Sequence, residues 1–126
     1  MKRTILIAED RDEIREALKA RLTRMGCEVL AVKSGNEAFE LVKTKKIDLI
    51  ISDIRMPEGT GIQLLRRLRR LKAAQTSVPP VIIMTALLEK GESYLKKLGA
   101  CEVFTKPFDI EHLVKKAFLH IEGRSE

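Results

Sequence analysis

Three strand-length runs, Ile5 to Ala8, Leu49 to Ile51 and Val81 to Met84, are apolar at every position. A strand wetted on one face alternates apolar and polar residues. A run without alternation is covered on both faces, the condition of an interior strand in a parallel sheet with helices on either side. Parallel neighbours cannot be joined by a tight turn and need a crossover, usually a helix. After the first run Ile14, Ala17, Leu18, Leu22 and Met25 recur at three- and four-residue spacings. That is the period of a helix with one buried face, and all five residues are predicted to point inward.

The remaining chain repeats the alternation. Gly26 ends the first helix, and Glu28 to Val32 reads as a second strand. Ser34-Gly35-Asn36-Glu37 fits a Ser-x-x-Glu capping box and opens a helix reaching about Lys43. The third strand is predicted at Asp48 to Ser52. A turn-rich Pro57-Glu58-Gly59-Thr60-Gly61 stretch then leads into a helix whose Leu64, Leu65, Leu68 and Leu71 face the core. Pro79-Pro80 cannot continue a helix and precedes the fourth strand. Thr85-Ala86 follows it, and a helix is expected around Lys90 to Leu98, ended by Gly99. A fifth strand, Glu102 to Thr105, runs into Lys106-Pro107, and Asp109 caps a last helix with Ile110, Leu113, Val114, Ala117, Phe118 and Ile121 inward. Five such units predict an α/β fold, a doubly wound five-stranded parallel sheet.

At 126 residues the chain is expected to form one domain, residues 1–122, with 123–126 as a polar tail or the start of a linker. Its 44% apolar and 33% charged content is that of ordinary globular domains and argues against disorder. No apolar run approaches the roughly 20 residues of a membrane helix. The N-terminal apolar stretch is also too short for a secretory signal, so a cytoplasmic location without membrane insertion is expected. Cys27 and Cys101 lack metal-ligand spacing and read as idle thiols. The net charge of +6 is a weak clue to acidic partners.

Ligands of an open parallel sheet bind outside the carboxyl ends of its strands. There the sequence places Glu9 and Asp10 after strand one, Asp53 after strand three, Thr85 after strand four and Lys106 after strand five. Clustered carboxylates repel one another unless a cation sits among them. An all-oxygen set without Cys or His suits a hard ion such as Mg2+. A hydroxyl and an ammonium beside such an ion match the oxygens of a phosphoryl group.

Glu9-Asp10, Asp53-Ile54-Arg55-Met56-Pro57, Thr85-Ala86 and Lys106-Pro107-Phe108, in this order, resemble the receiver domain of bacterial two-component response regulators over essentially the whole chain. The resemblance implies a flavodoxin-like (βα)5 fold with strand order 2-1-3-4-5. It implies Asp53 as phosphoacceptor, with Glu9, Asp10, Asp53 and the backbone carbonyl of Arg55 around Mg2+. Lys106 would pair with the phosphoryl oxygens, Thr85 would move toward them as a switch, and the Lys106-Pro107 bond would be cis. The partners implied are a histidine kinase or histidine phosphotransfer protein as donor, and a downstream effector protein or effector domain. A dimer formed on phosphorylation is compatible with this reading. Such a domain is a signalling module rather than an enzyme, catalysing only its own phosphorylation and dephosphorylation.

Four features depart from the family pattern or stay open. Val103 occupies the place three before the lysine where an aromatic switch residue is usual, and Phe104 beside it is expected on the opposite side of the strand. The Thr85 to Lys106 interval is one residue shorter than usual, which leaves the output face open. Arg55 is either an exposed arginine of little consequence or a residue that tunes phosphoryl lifetime. The basic run Arg66, Arg67, Arg69, Arg70 and Lys72 reads as a solvated face or as a docking face for acidic partners. No aromatic platform or recognition helix accompanies it, so direct DNA reading has no support. Tyr94 and Met56 read as packing or surface residues. A haloacid dehalogenase-type phosphohydrolase would want Asp-x-Asp, where this chain has Arg55. A flavin carrier conflicts with the acidic end of strand one and with 4% aromatic content.

Overall fold

A computed structural model describes residues 2–74, 77–86 and 91–124. Strands and helices alternate strictly: β1 (Thr4–Ala8), α1 (Asp12–Arg24), β2 (Glu28–Val32), α2 (Gly35–Thr44), β3 (Leu49–Asp53), α3 (Gly61–Ala74), β4 (Val81–Thr85), α4 (Gly91–Leu98), β5 (Ala100–Thr105) and α5 (Ile110–Arg124). All strands are parallel, in the order β2-β1-β3-β4-β5. Because successive side chains of a strand point to opposite faces, the apolar runs feed two cores at once. Ile5, Ile7, Ile51, Ile82 and Met84 pack with Leu18 and Leu22 of α1 and Leu113, Ala117 and Ile121 of α5. Leu6, Ala8, Ile50 and Ile83 pack on the other face with Ala38 of α2, Leu64 and Leu68 of α3 and Leu95 of α4.

The helix starts follow the side chains at them. Ser34 Oγ accepts the Glu37 amide at 3.2 Å and its hydroxyl donates to the Glu37 carboxylate, a variant of the capping box. Asp109 accepts the Glu111 amide at the start of α5. At the end of α1 the chain passes Gly26 at φ 90°, a left-handed conformation that glycine adopts without steric cost.

Several expectations need correction. On α1, Leu18 and Leu22 are buried, Ile14 is half-buried, and Ala17 is exposed. Met25 is 43% exposed because it caps a helix that has already ended. Leu71 is only half-buried, toward the end of α3. β3 begins one residue later than predicted, since the Asp48 carboxylate accepts the Thr4 amide at 2.8 Å and serves as an anchor ahead of the strand. β5 begins earlier, at Ala100. α5 continues through Arg124, two residues into the segment expected to be a polar tail. Lys90, the expected start of α4, lies outside the described residues.

Candidate functional site

The parallel arrangement brings the carboxyl ends of β1, β3, β4 and β5 to one rim, and each of the predicted polar residues stands there. Asp53 is the last residue of β3 and is 7% exposed; Thr85, the last residue of β4, is 3% exposed. Glu9, one residue past β1, is fully buried, whereas Asp10 is exposed. Carboxylate oxygens of Glu9, Asp10 and Asp53 all lie within 4.8 Å of one another. Lys106 Nζ donates to Glu9 Oε1 at 2.8 Å and to Asp53 Oδ2 at 2.7 Å. Its backbone amide donates to the Thr85 carbonyl at 2.7 Å, which ties the β5 end to the β4 end, and the Lys106-Pro107 bond is cis.

Two buried carboxylates a few ångströms apart are costly without a compensating charge, and the ammonium between them supplies it. Burial pushes the Glu9 carboxyl above the usual carboxylate range, with the Lys106 and Arg11 hydrogen bonds opposing that shift. Burial also disfavours the Lys106 charge, but the hydrogen bonds to Asp53 and Glu9 outweigh it and lift Lys106 above the ordinary lysine value. Glu9 Oε2 also accepts the Arg11 amide at 3.1 Å, so the residue both faces Lys106 and caps the turn into α1. The all-oxygen set of Glu9, Asp10 and Asp53 fits a hard divalent cation.

Three positioning features were not read from the sequence. Arg15, nominally on the outer face of α1, is 8% exposed and donates to the Glu9 carbonyl at 3.1 Å, holding the β1–α1 turn. Helical period alone assigns an arginine outward, so nothing in the sequence signalled this. Thr60 and Gln63 exchange reciprocal hydrogen bonds, Thr60 N to Gln63 Oε1 at 2.9 Å and Gln63 N to Thr60 Oγ1 at 3.1 Å. The Thr-x-x-Gln pattern was a legible capping box. Third, the loop after Asp53 is pinned by glycines. Gly35 N and Asn36 N at the start of α2 donate to the carbonyls of Gly59 and Glu58, and Gly61 N donates to Ile54 O at 2.9 Å. Asp53 itself accepts the Ile54 amide on Oδ1 at 2.7 Å.

The residues that depart from the family pattern are also placed. Val103 pairs with Ile83 and is half-buried against the α2–α3–α4 layer. Phe104 fills the opposite layer, its ring edge-on to Phe108 and His112 at 6.0 and 5.4 Å between centroids, as strand alternation predicts. Met56 is buried and Arg55 is exposed. Within the basic run, Arg66 donates to the Tyr94 hydroxyl, and Arg67 donates to Asn36 and lies over the Phe39 ring at 4.1 Å. These two arginines serve α3 packing.

A five-stranded flavodoxin-like sheet with three carboxylates, a hydroxyl and a lysine on its rim defines a class of phosphorelay signalling domain. The chain belongs to the response regulator receiver domain family, whose sequence profile matches residues 5–118. It is 34% identical over 109 residues to the alkaline phosphatase synthesis transcriptional regulatory protein PhoP of Bacillus subtilis, covering 86% of this chain and 44% of PhoP. The chain spans about half or less of the length of most curated relatives it matches. The receiver domain of the Francisella response regulator 1452 superposes with a TM-score of 0.86 at 30% identity, covering 99% of this chain and 100% of that one. The receiver domain of the sensor histidine kinase PA1611 from Pseudomonas aeruginosa holds a magnesium ion in its active-site cleft. It superposes with a TM-score of 0.81 at 26% identity, covering 97% of this chain and 99% of that one. Among the described residues no helix is long and apolar enough to cross a membrane.

Proposed function

We propose that this receiver domain accepts a phosphoryl group on Asp53 in a Mg2+-dependent reaction and changes its partner contacts in response. The observation that carries this reading is the convergence of Glu9, Asp10 and Asp53 within 4.8 Å, with Lys106 Nζ bridging Glu9 and Asp53. Glu9, Asp10, Asp53 and the Arg55 backbone carbonyl are the groups proposed to hold the ion. With Mg2+ bound, the site gains a divalent charge that offsets the carboxylate repulsion and the charge on the phosphoryl oxygens.

In the proposed reaction an Asp53 carboxylate oxygen attacks the phosphorus of a phosphohistidine, or of a small acyl phosphate, in line. A P–O bond to Asp53 forms as the bond to the donor breaks, and the donor leaves with its electron pair. Lys106 stays charged under the influence of both carboxylates and is placed to exchange the Asp53 oxygen for a phosphoryl oxygen. The Thr85 hydroxyl, on the neighbouring strand, is the donor proposed to close on the phosphoryl group, and exposed Ala86 leaves room for the incoming donor. Val103 has no aromatic ring to act as a toggle, so the switch proposed rests on Thr85. The donor proposed is a histidine kinase or histidine phosphotransfer protein. The receiver would act on an effector protein or effector domain, in the cytoplasm.

Intact-mass detection of phosphate incorporation from a small acyl phosphate tests the reading. Mg2+-dependent labelling of the parent and none of Asp53→Ala is expected. Labelling that persists in Asp53→Ala would overturn the assignment.

A further inference from the structure

At the pole of the sheet opposite the acidic rim lies a cavity of about 440 Å³ between the ends of α3 and α4 and the start of β4. Its apolar wall is built from Leu65, Leu68, Val78 and Leu98, residues of the α2–α3–α4 core layer. Around it stand Arg69, Lys72 and Lys97, all exposed. None of these three has a hydrogen-bond or ion-pair partner among the described residues, in contrast to Arg66 and Arg67 of the same helix. Among the described residues no carboxylate lines the cavity.

Part of this charge has a simpler origin. Lys72 and Lys97 occupy the last turns of α3 and α4, where the helix dipole favours cations with or without a ligand. The dipole explains neither Arg69, which stands earlier in α3, nor the half-buried Val78 and Leu98 beneath three cations, with Leu65 and Leu68 buried behind them. A concave, mainly apolar site of a few hundred Å³ with a few convergent charged groups is the usual form of a small-ligand pocket. Its volume admits an organic group of roughly ten to fifteen non-hydrogen atoms, at about 30 Å³ each by the volume of liquid water.

We infer that this cavity binds a small amphiphilic anion, an apolar chain or ring bearing one carboxylate or sulfonate, with the apolar part on Val78 and Leu98 and the anionic group among Arg69, Lys72 and Lys97. The apolar wall supplies affinity by removing hydrocarbon surface from water, and the cations set the sign of the ligand. The inference is independent of the phosphoacceptor reading, since none of the cavity's lining residues belongs to the acidic rim.

Isothermal titration calorimetry with decanoate, an amphiphilic anion of about twelve non-hydrogen atoms and so within this size, tests the site. Saturable one-to-one binding of decanoate is expected, tighter than that of decanol and weakened by added salt. Each exposed charge pair contributes a factor of about two to five, so Arg69→Glu combined with Lys97→Glu is expected to weaken binding about four- to twenty-five-fold. That variant keeps its Mg2+-dependent phosphate incorporation, which separates failure of this site from failure of the rim. Val78→Trp fills the cavity and is expected to abolish binding; circular dichroism checks its fold, and the exposed double variant remains decisive if it unfolds. Amide NMR shifts should cluster on residues 65–72 and 97–101. Non-saturable binding, equally tight binding of decanol, undiminished binding in the double variant, or shifts clustered away from residues 65–72 and 97–101 would each overturn the inference.

Discussion

Gly61 opens α3 directly behind the phosphoacceptor strand, and replacing it by alanine tests how tightly that loop is built. A Cβ on Gly61 would sit 2.3 Å from the Asp53 carbonyl oxygen and 3.0 Å from Ile54 Cα. Ordinary contact begins near 3.4 Å, so the shortfall is about 1 Å, and the three nearest atoms are all backbone. Rotamer changes cannot relieve it. Overpacking of this kind costs about 1–3 kcal/mol, whereas alanine returns at most ~1 kcal/mol in helix propensity. With rigid neighbours the upper part of the range applies, and a net loss of about 2 kcal/mol is expected. For a domain of this size that lowers Tm by roughly 6–10 °C. Gly123→Ala is the matched control, because a Cβ there meets nothing within 4 Å and should hold or slightly raise stability. Thermal and urea unfolding followed by circular dichroism measure both. If Gly61→Ala were as stable as Gly123→Ala, the close approach of α3 to Asp53 would be refuted, and with it the rigidity argued for the loop.

Other expectations are more local. Glu111 is held below the usual carboxylate range by the Arg21 guanidinium, so its contribution to stability is present above the unfolded value and lost as pH falls through the lower folded one. The difference in urea midpoint between the parent and Glu111→Gln should therefore be visible at pH 7 and vanish in strong acid; a constant difference would refute the assignment. Burial pushes the Cys101 thiol up to about 11 from an ordinary 9.0. At pH 7 its thiolate fraction is then about a hundredfold below that of a free thiol, and alkylation followed by mass spectrometry should be slower by about that factor. Val103→Tyr should alter effector binding or dimerisation while Asp53 labelling persists, because Val103 faces the α2–α3–α4 layer and not Asp53. Loss of labelling would show that Val103 supports the acidic rim itself.

Unbroken apolar runs and helical period were enough to determine a parallel α/β sheet, because both signals are local and each run must be covered on two faces. The site residues were legible for a related reason. In a parallel sheet the carboxyl ends of all the strands lie at the same rim, so a polar residue at or just past a strand's end is placed by topology before any contact is known, as Glu9, Asp53, Thr85 and Lys106 show. Family resemblance then added their chemical roles. Tertiary structure alone decided which groups pair and which are buried. Arg15 looks solvated by period, yet it is enclosed because the β1–α1 turn brings the Glu9 carbonyl over it. Arg66 and Arg67 look interchangeable with Arg69, yet Tyr94, Asn36 and Phe39 engage the first two and leave the third at an open cavity. The space that forbids a Cβ at Gly61 is likewise set by residues eight positions away meeting across a loop. Burial and pairing depend on where distant segments come to rest, and no local periodicity carries that information.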